Sequence, residues 1–238
     1  MHQRQRNKMI KKFNNFNEDV AADVNNLTGI IDTKIDWFGE DPANRSKNYE
    51  DFKSPKWSVR ATFVNLYAYA TKYNLYDTKS IISRWSIGKN KKLSIVEEKD
   101  LTTYLTNIKS LANVDSNTVL KYDDDKFVSE KSNIVNLFKL VQGIIMNETG
   151  KLDQDDLDGF KTVKELVVAS FEIETKAADS LPAYKKYKVD LENDEYKSAV
   201  KEYTGQEDVV ANKDEKEEVK KDKKTDGSVL KKTMQYFK

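Results

Sequence analysis

Phe52-Lys53-Ser54-Pro55-Lys56-Trp57-Ser58-Val59-Arg60-Ala61 opens the stretch that decides the fold, and Asp77-Thr78-Lys79-Ser80-Ile81-Ile82-Ser83-Arg84-Trp85 closes it. Between them Val59, Phe63, Leu66 and Ala70 recur at helical spacing. Ser54-Pro55 marks the start of that helix, because proline fits the first turn, where an N–H has no intrahelical acceptor. Asp77 or Thr78 caps a second helix that carries Ile81, Ile82 and Trp85 inward. Two amphipathic helices, dense in aromatics and joined by a short turn, predict a mostly α fold.

Upstream, residues 21–57 read as irregular structure. Asn25-Asn26 and Gly29 are turn signals, since asparagine and glycine tolerate positive φ. Ile30, Ile31, Ile35, Trp37 and Phe38 supply apolar anchors. Downstream, residues 86–98 read as a loop around Gly88, and residues 99–113 as a helix through Leu101, Tyr104, Leu105, Ile108 and Leu111. Asp123-Asp124-Asp125 lacks the central glycine and terminal glutamate of a calcium loop, so it reads as a solvated turn. Residues 132–148 form the most apolar helix, through Ile134, Leu137, Phe138, Val141, Ile144 and Ile145, and Gly150 ends it.

The whole chain bounds the chemistry. Of its 238 residues 34% are charged and 38% hydrophobic, so the core must be concentrated in part of the chain. The net charge of +1 does not indicate a broadly basic surface, and no nucleic-acid partner is expected. There is no cysteine, hence no disulfide and no thiolate metal site. The single histidine, His2, removes histidine triads and multi-histidine zinc sites from consideration. No metal or cofactor is expected, and acid–base work falls to carboxylates, tyrosine or lysine. No run of about 18 apolar residues exists, so no membrane-spanning segment is expected. Residues 1–20 read as a basic arm without the apolar core of a secretion signal. Beyond residue 150, Leu157, Val163, Leu166, Val167 and Phe171 predict a helix, and Tyr184 to Tyr203 a sparser helical stretch that docks on a partner or on the first domain. Residues 151–204 are thus a helical extension. Residues 205–228 are too charged to bury and read as a linker, and the apolar residues among 229–238 read as a docking segment.

Taken in order, these motifs resemble a family of phage and prophage virion proteins known as structural protein P5-like and associated with peptidoglycan cleavage. The family pattern runs Asn-Asn-Pro-Gly-Asn-Ile, Trp-x-Gly, Phe-x-Ser-Pro, Gly-x-Arg-Ala, Ile-Ile-x-Arg-Trp, then an apolar helix finishing Glu-Asn-Gly. Here stand Asn25-Asn26-Leu27-Thr28-Gly29-Ile30, Trp37-Phe38-Gly39, Phe52 to Pro55, Ser58-Val59-Arg60-Ala61, Ile81 to Trp85, and Glu148-Thr149-Gly150. The chain departs from the pattern at Leu27-Thr28, at Ser58, and in lacking a Pro-rich Glu-Asn segment after Trp85. The resemblance implies a lysozyme-like domain over residues 21–150 of a virion-associated, muralytic protein that opens the cell wall during genome delivery. Its partners would be peptidoglycan and other virion structural proteins. The alternative is a structural virion or tail component that uses the same domain for assembly without catalysis.

Glycosidic cleavage needs a protonated carboxylic acid beside the bridging oxygen, and a partly apolar setting keeps a glutamate protonated. Glu148 ends the most apolar helix and is the candidate general acid. Glu18 is its competitor, with Glu40 and Glu50 behind. Asn25, Asn26, Trp37, Trp57, Arg60 and Arg84 are the candidate substrate-binding residues. Each has a plainer role: turn formation for the asparagines, core packing for the tryptophans and an internal ion pair for the arginines. Lysozyme-like domains place the acid before the Asn-Asn turn, whereas here it comes last. A circular permutation reconciles the two orders, because domain termini commonly lie close together.

Overall fold

The computed structural model describes residues 25–31, 37–41, 49–88, 93–123, 126–150, 152, 154–178 and 189–205. The basic arm with Glu18, and the linker and docking segment from residue 206 onward, lie outside the described residues.

The fold is mostly α. Helix α1 spans Pro55–Tyr73, with proline in its first turn, and ends where Asn74 turns left-handed at φ 53°. Helix α2, Thr78–Ile82, is capped by Asp77, whose carboxylate accepts the Ser80 N–H at 2.9 Å. It runs directly into a π turn, Ser83–Ile87, which Gly88 ends at φ +73°. Helix α3, Ile95–Ala112, begins earlier than residue 99, where periodicity alone placed it. The cause is a capping box: Ser94 N–H donates to Glu97 Oε2 at 2.8 Å, and Glu97 N–H donates back to Ser94 Oγ at 3.4 Å.

A two-stranded antiparallel hairpin follows, β1 at Tyr122–Asp123 and β2 at Lys126–Phe127. It was not foreseen, because strands of two residues carry no periodicity. Helix α4 is Lys131–Thr149, closed by the Gly150 N–H on Met146 O. After a 3₁₀ turn, Gln154–Leu157, come α5, Val163–Ala178, and α6, Asp194–Thr204, the latter capped by Asn193.

One apolar cluster runs from Leu27 through α1, α3 and α4 to Phe171 on α5 and Tyr203 on α6. The Phe171 ring lies 5.1 Å from Phe63 and 5.2 Å from Phe138, and Tyr203 lies 5.2 Å from Phe138. Helices α5 and α6 therefore share one apolar core with α1, α3 and α4. No break in packing marks residue 150.

A smaller cluster holds the N-terminal loop to α1 through Ile30, Trp37, Phe52, Trp57 and Ala61. The Trp57 ring lies directly on Gly39, where a Cβ would meet its Cγ at 2.3 Å, and Gly39 sits at φ +82°. Both facts require glycine in Trp37-Phe38-Gly39.

Candidate active site

The last turn of α4 brings Glu148 against α3 because α3 and α4 approach closely. Gly143 makes this possible: a Cβ there would stand 3.0 Å from Ile108 and 3.3 Å from Ala112. Two turns along α3 from Ala112, Tyr104 is buried in the apolar stripe it shares with Leu101 and Ile108. A buried tyrosine needs a partner for its hydroxyl. Tyr104 O–H donates to Glu148 Oε1 at 2.5 Å.

The Trp85 indole N–H donates to the same carboxyl group from the π turn. Burial pushes the Glu148 carboxyl up from 4.5 to about 7, and the bonds from Tyr104 and Trp85 hold it back from rising further. Its place at the negative end of α4, with no basic residue in the last turn, also disfavours a charge there.

Other aromatic groups complete the surroundings. Tyr69 on α1 packs edge-on against Trp85 at 6.4 Å and Tyr73 at 6.2 Å. Burial raises the Tyr69 hydroxyl to about 12. Tyr49 comes from the N-terminal loop. Its hydroxyl is raised by burial and by the negative charge of Glu148, which places the two groups within electrostatic reach. The loop is built to present it. Tyr49 bridges Ile31, and the Asn26 side chain donates to Ile30 O at 2.7 Å and Glu50 O at 2.9 Å while accepting the Ile30 N–H at 3.0 Å.

The predicted site residues do not gather around Glu148 as one set. Asn26 is buried, with its amide engaged in those backbone bonds, so it shapes the loop. Asn25, at φ 51°, donates to Phe52 O at 3.0 Å and lines a separate cleft of about 210 Å³ beside Ser54, Asp155 and Asp156. Trp57 is 1% exposed and Trp37 7%, so neither offers a face to a sugar. Arg60 is buried, with its guanidinium 5.2 Å over the Phe38 ring. Burial of Trp37, Trp57 and Arg60 corrects the expectation of a sugar-binding row: these three side chains pack inside the contact between the loop and α1. Arg84 differs. It is half-buried, lies 4.3 Å over the Tyr73 ring and donates to Gly88 O at 3.3 Å, one residue from Trp85. Glu50 is buried, and Glu40 accepts the Trp37 N–H at 3.1 Å in a turn.

The departures at Leu27 and Ser58 answer one another, since Leu27 N–H donates to Ser58 Oγ at 3.2 Å and Thr28 Oγ1 to Ser58 O at 3.4 Å. Tyr104 and Tyr49 were missed as site residues. A tyrosine inside an otherwise apolar stripe was the available signal for Tyr104. Tyr49 had none, because only the fold brings it across. Among the described residues no group of three or more acidic side chains is placed to hold a metal, and no helix is long and apolar enough to cross a membrane. No known family's profile matches this chain, and no curated protein is significantly similar to it.

Proposed function

We propose that this chain is a phage virion-associated protein whose helical domain cleaves glycosidic bonds of peptidoglycan during genome delivery, with Glu148 as general acid. One observation carries the reading: Glu148 ends an apolar helix among aromatic side chains, with a carboxyl that titrates at about 7. Such a group is protonated in a useful fraction near neutrality and is strong enough to give the proton up. In the step proposed, the bond from the anomeric carbon to the bridging oxygen breaks, and the Glu148 proton passes to that oxygen. The glycosyl cation is then captured by water, or by a hydroxyl of its own sugar, and the captured oxygen gives up its proton to solvent. Glu148 is left as a carboxylate, facing the Tyr104 and Trp85 donors. The lysozyme-like and virion parts of the reading rest on the motif order, and the aromatic setting of Glu148 supports the acid.

The test is a zymogram on purified peptidoglycan. The wild-type protein is expected to clear the gel. Glu148→Gln, which cannot donate a proton, is expected to lose about 10²–10⁴-fold of the rate with an unchanged melting profile at acid pH. Clearing by Glu148→Gln would remove Glu148 from the chemistry.

A second reading, an inactive virion or tail component, is favoured by the internal engagement of Asn26, Trp57 and Arg60. A wild-type protein that leaves peptidoglycan intact while cofractionating with virions would establish it.

A further inference from the structure

We infer that Tyr104 is the positioning residue for Glu148, the last link of a one-way chain of hydrogen-bond donors that leaves the transferable proton on Glu148 Oε2. The inference rests on Glu148 being the acid, but the chain itself is read from the bonds between α3 and α4.

The chain begins at the surface. Asn107, exposed on α3, donates through Nδ2 to Asn147 Oδ1 on α4 at 2.9 Å. That bond fixes which end of the Asn147 amide is which: its oxygen faces Asn107, and its NH₂ is turned to Tyr104. The Asn147 side chain then bonds the Tyr104 phenol in the sense that eases loss of the phenol proton, which is the sense of a bond donated to the phenol oxygen. A phenol has one proton. With an amide N–H on its oxygen, that proton is directed to Glu148 Oε1, at 2.5 Å.

Every donor along the path points toward the carboxyl group. In neutral Glu148 the oxygen that accepts so short a bond is the carbonyl oxygen, so the acid proton resides on Oε2. Tyr104 is buried in the stripe of α3, so it orients the acid without touching a substrate. Among the described residues, the titratable and charged groups linked to this carboxyl are Tyr104 from α3 and Tyr49 from the loop directly, Tyr69 from α1 through Tyr104, and Arg84 from the π turn through Tyr69. Among the described residues, no second carboxylate contributes to the causes that set its titration.

Carbon-13 NMR titration of the full-length protein reads the chain without any assay of cleavage. The Glu148 Cδ resonance is assigned by its absence in Glu148→Gln. The wild-type midpoint is expected near 7. Tyr104→Phe removes the donor to the charged form and should raise the midpoint by about one unit. Asn107→Ala, a surface change that releases the Asn147 amide, should raise it in the same direction by less. An unchanged or lowered midpoint in natively folded Tyr104→Phe overturns the inference. If Tyr104→Phe does not fold, Asn107→Ala decides, and an unmoved midpoint there overturns the directed chain. A midpoint that moves as expected in a protein that leaves peptidoglycan intact upholds the chain and refutes the general-acid reading. Where peptidoglycan is cleaved, the alkaline limb of the pH–rate profile should move with the titration midpoint in both variants.

Discussion

At the scale of the residue, Glu148 couples stability to pH with an unusual sign. The folded protein binds this proton more tightly than an unfolded chain, in which the glutamate titrates at 4.5. Stability therefore falls as pH rises from about 4.5 through about 7, where most surface carboxylates contribute nothing further. Replacing the carboxyl by an amide removes the effect. Chemical denaturation at pH 5 and pH 8 should show wild type losing on the order of 2–3 kcal/mol relative to Glu148→Gln over that interval. A constant difference between the two proteins would mean that the carboxyl is not held neutral by burial.

Gly39 gives a second residue-scale prediction. Gly39→Ala forces a Cβ into the Trp57 ring at a positive φ, and should cost about 2 kcal/mol or more, seen as a melting temperature lower by roughly 5 °C. At this scale the sequence singles out Glu148 as a candidate, because an acid that follows a long apolar run needs a reason. It did not show Tyr104, because the bond joins residues separated by 44 positions, and only the packing of two helices makes them neighbours. Trp57 and Arg60 misled for a related reason: their type fits a glycan surface, and burial, which decides, is not written in type.

At the scale of the element, the site depends on how closely α3 and α4 approach. Gly143 faces Ile108 and Ala112 with no room for a branched side chain. Gly143→Val should separate the helices, cost about 1–3 kcal/mol by overpacking, and lengthen the path from Tyr104 to Glu148. The checks are a denaturation curve and the Glu148 midpoint, which should move upward as the donor withdraws. A destabilised protein with an unmoved midpoint would show that the contact between the helices is elastic at its far end.

Helix existence was legible here from spacing and caps. Ser54-Pro55, Asp77 and Gly150 mark helix ends where the structure has them. The start of α3 was legible too, in Ser94 and Glu97, but apolar periodicity gave no hint of it because Ile95 and Val96 are exposed. The π turn at Ser83–Ile87 was not legible. It adds one residue to a helical turn without changing residue types, and Trp85, which it carries, interacts with the Glu148 carboxyl.

At the scale of the whole molecule, α6 closes the core. Its Tyr196, Ala199, Val200 and Tyr203 are buried, and two of them pack on Phe138 of α4. Burying a large apolar side chain contributes about 1.5–3 kcal/mol, so losing this set removes several kcal/mol from a total stability of about 5–15 kcal/mol. A chain lacking residues 189–238 is expected to lose its cooperative thermal transition by circular dichroism. A truncated chain that melts like the full one would show that residues 1–188 fold without α6. The sparse stripe of this segment reads as a docking helix for a partner or for the rest of the chain, and a sequence alone does not state which of the two surfaces a stripe meets.

The position of α6 also sets an order in time. A ribosome delivers α4, with Glu148 at its end, well before Tyr203 emerges to cover Phe138. Until then the nascent chain has Glu148 but not the packing of Tyr203 on Phe138 that completes the core around α4. The register of α3 and α4 that makes the Tyr104–Glu148 bond is therefore expected to be set only after α6 has emerged and packed, so this bond forms late in the order in which the elements are made.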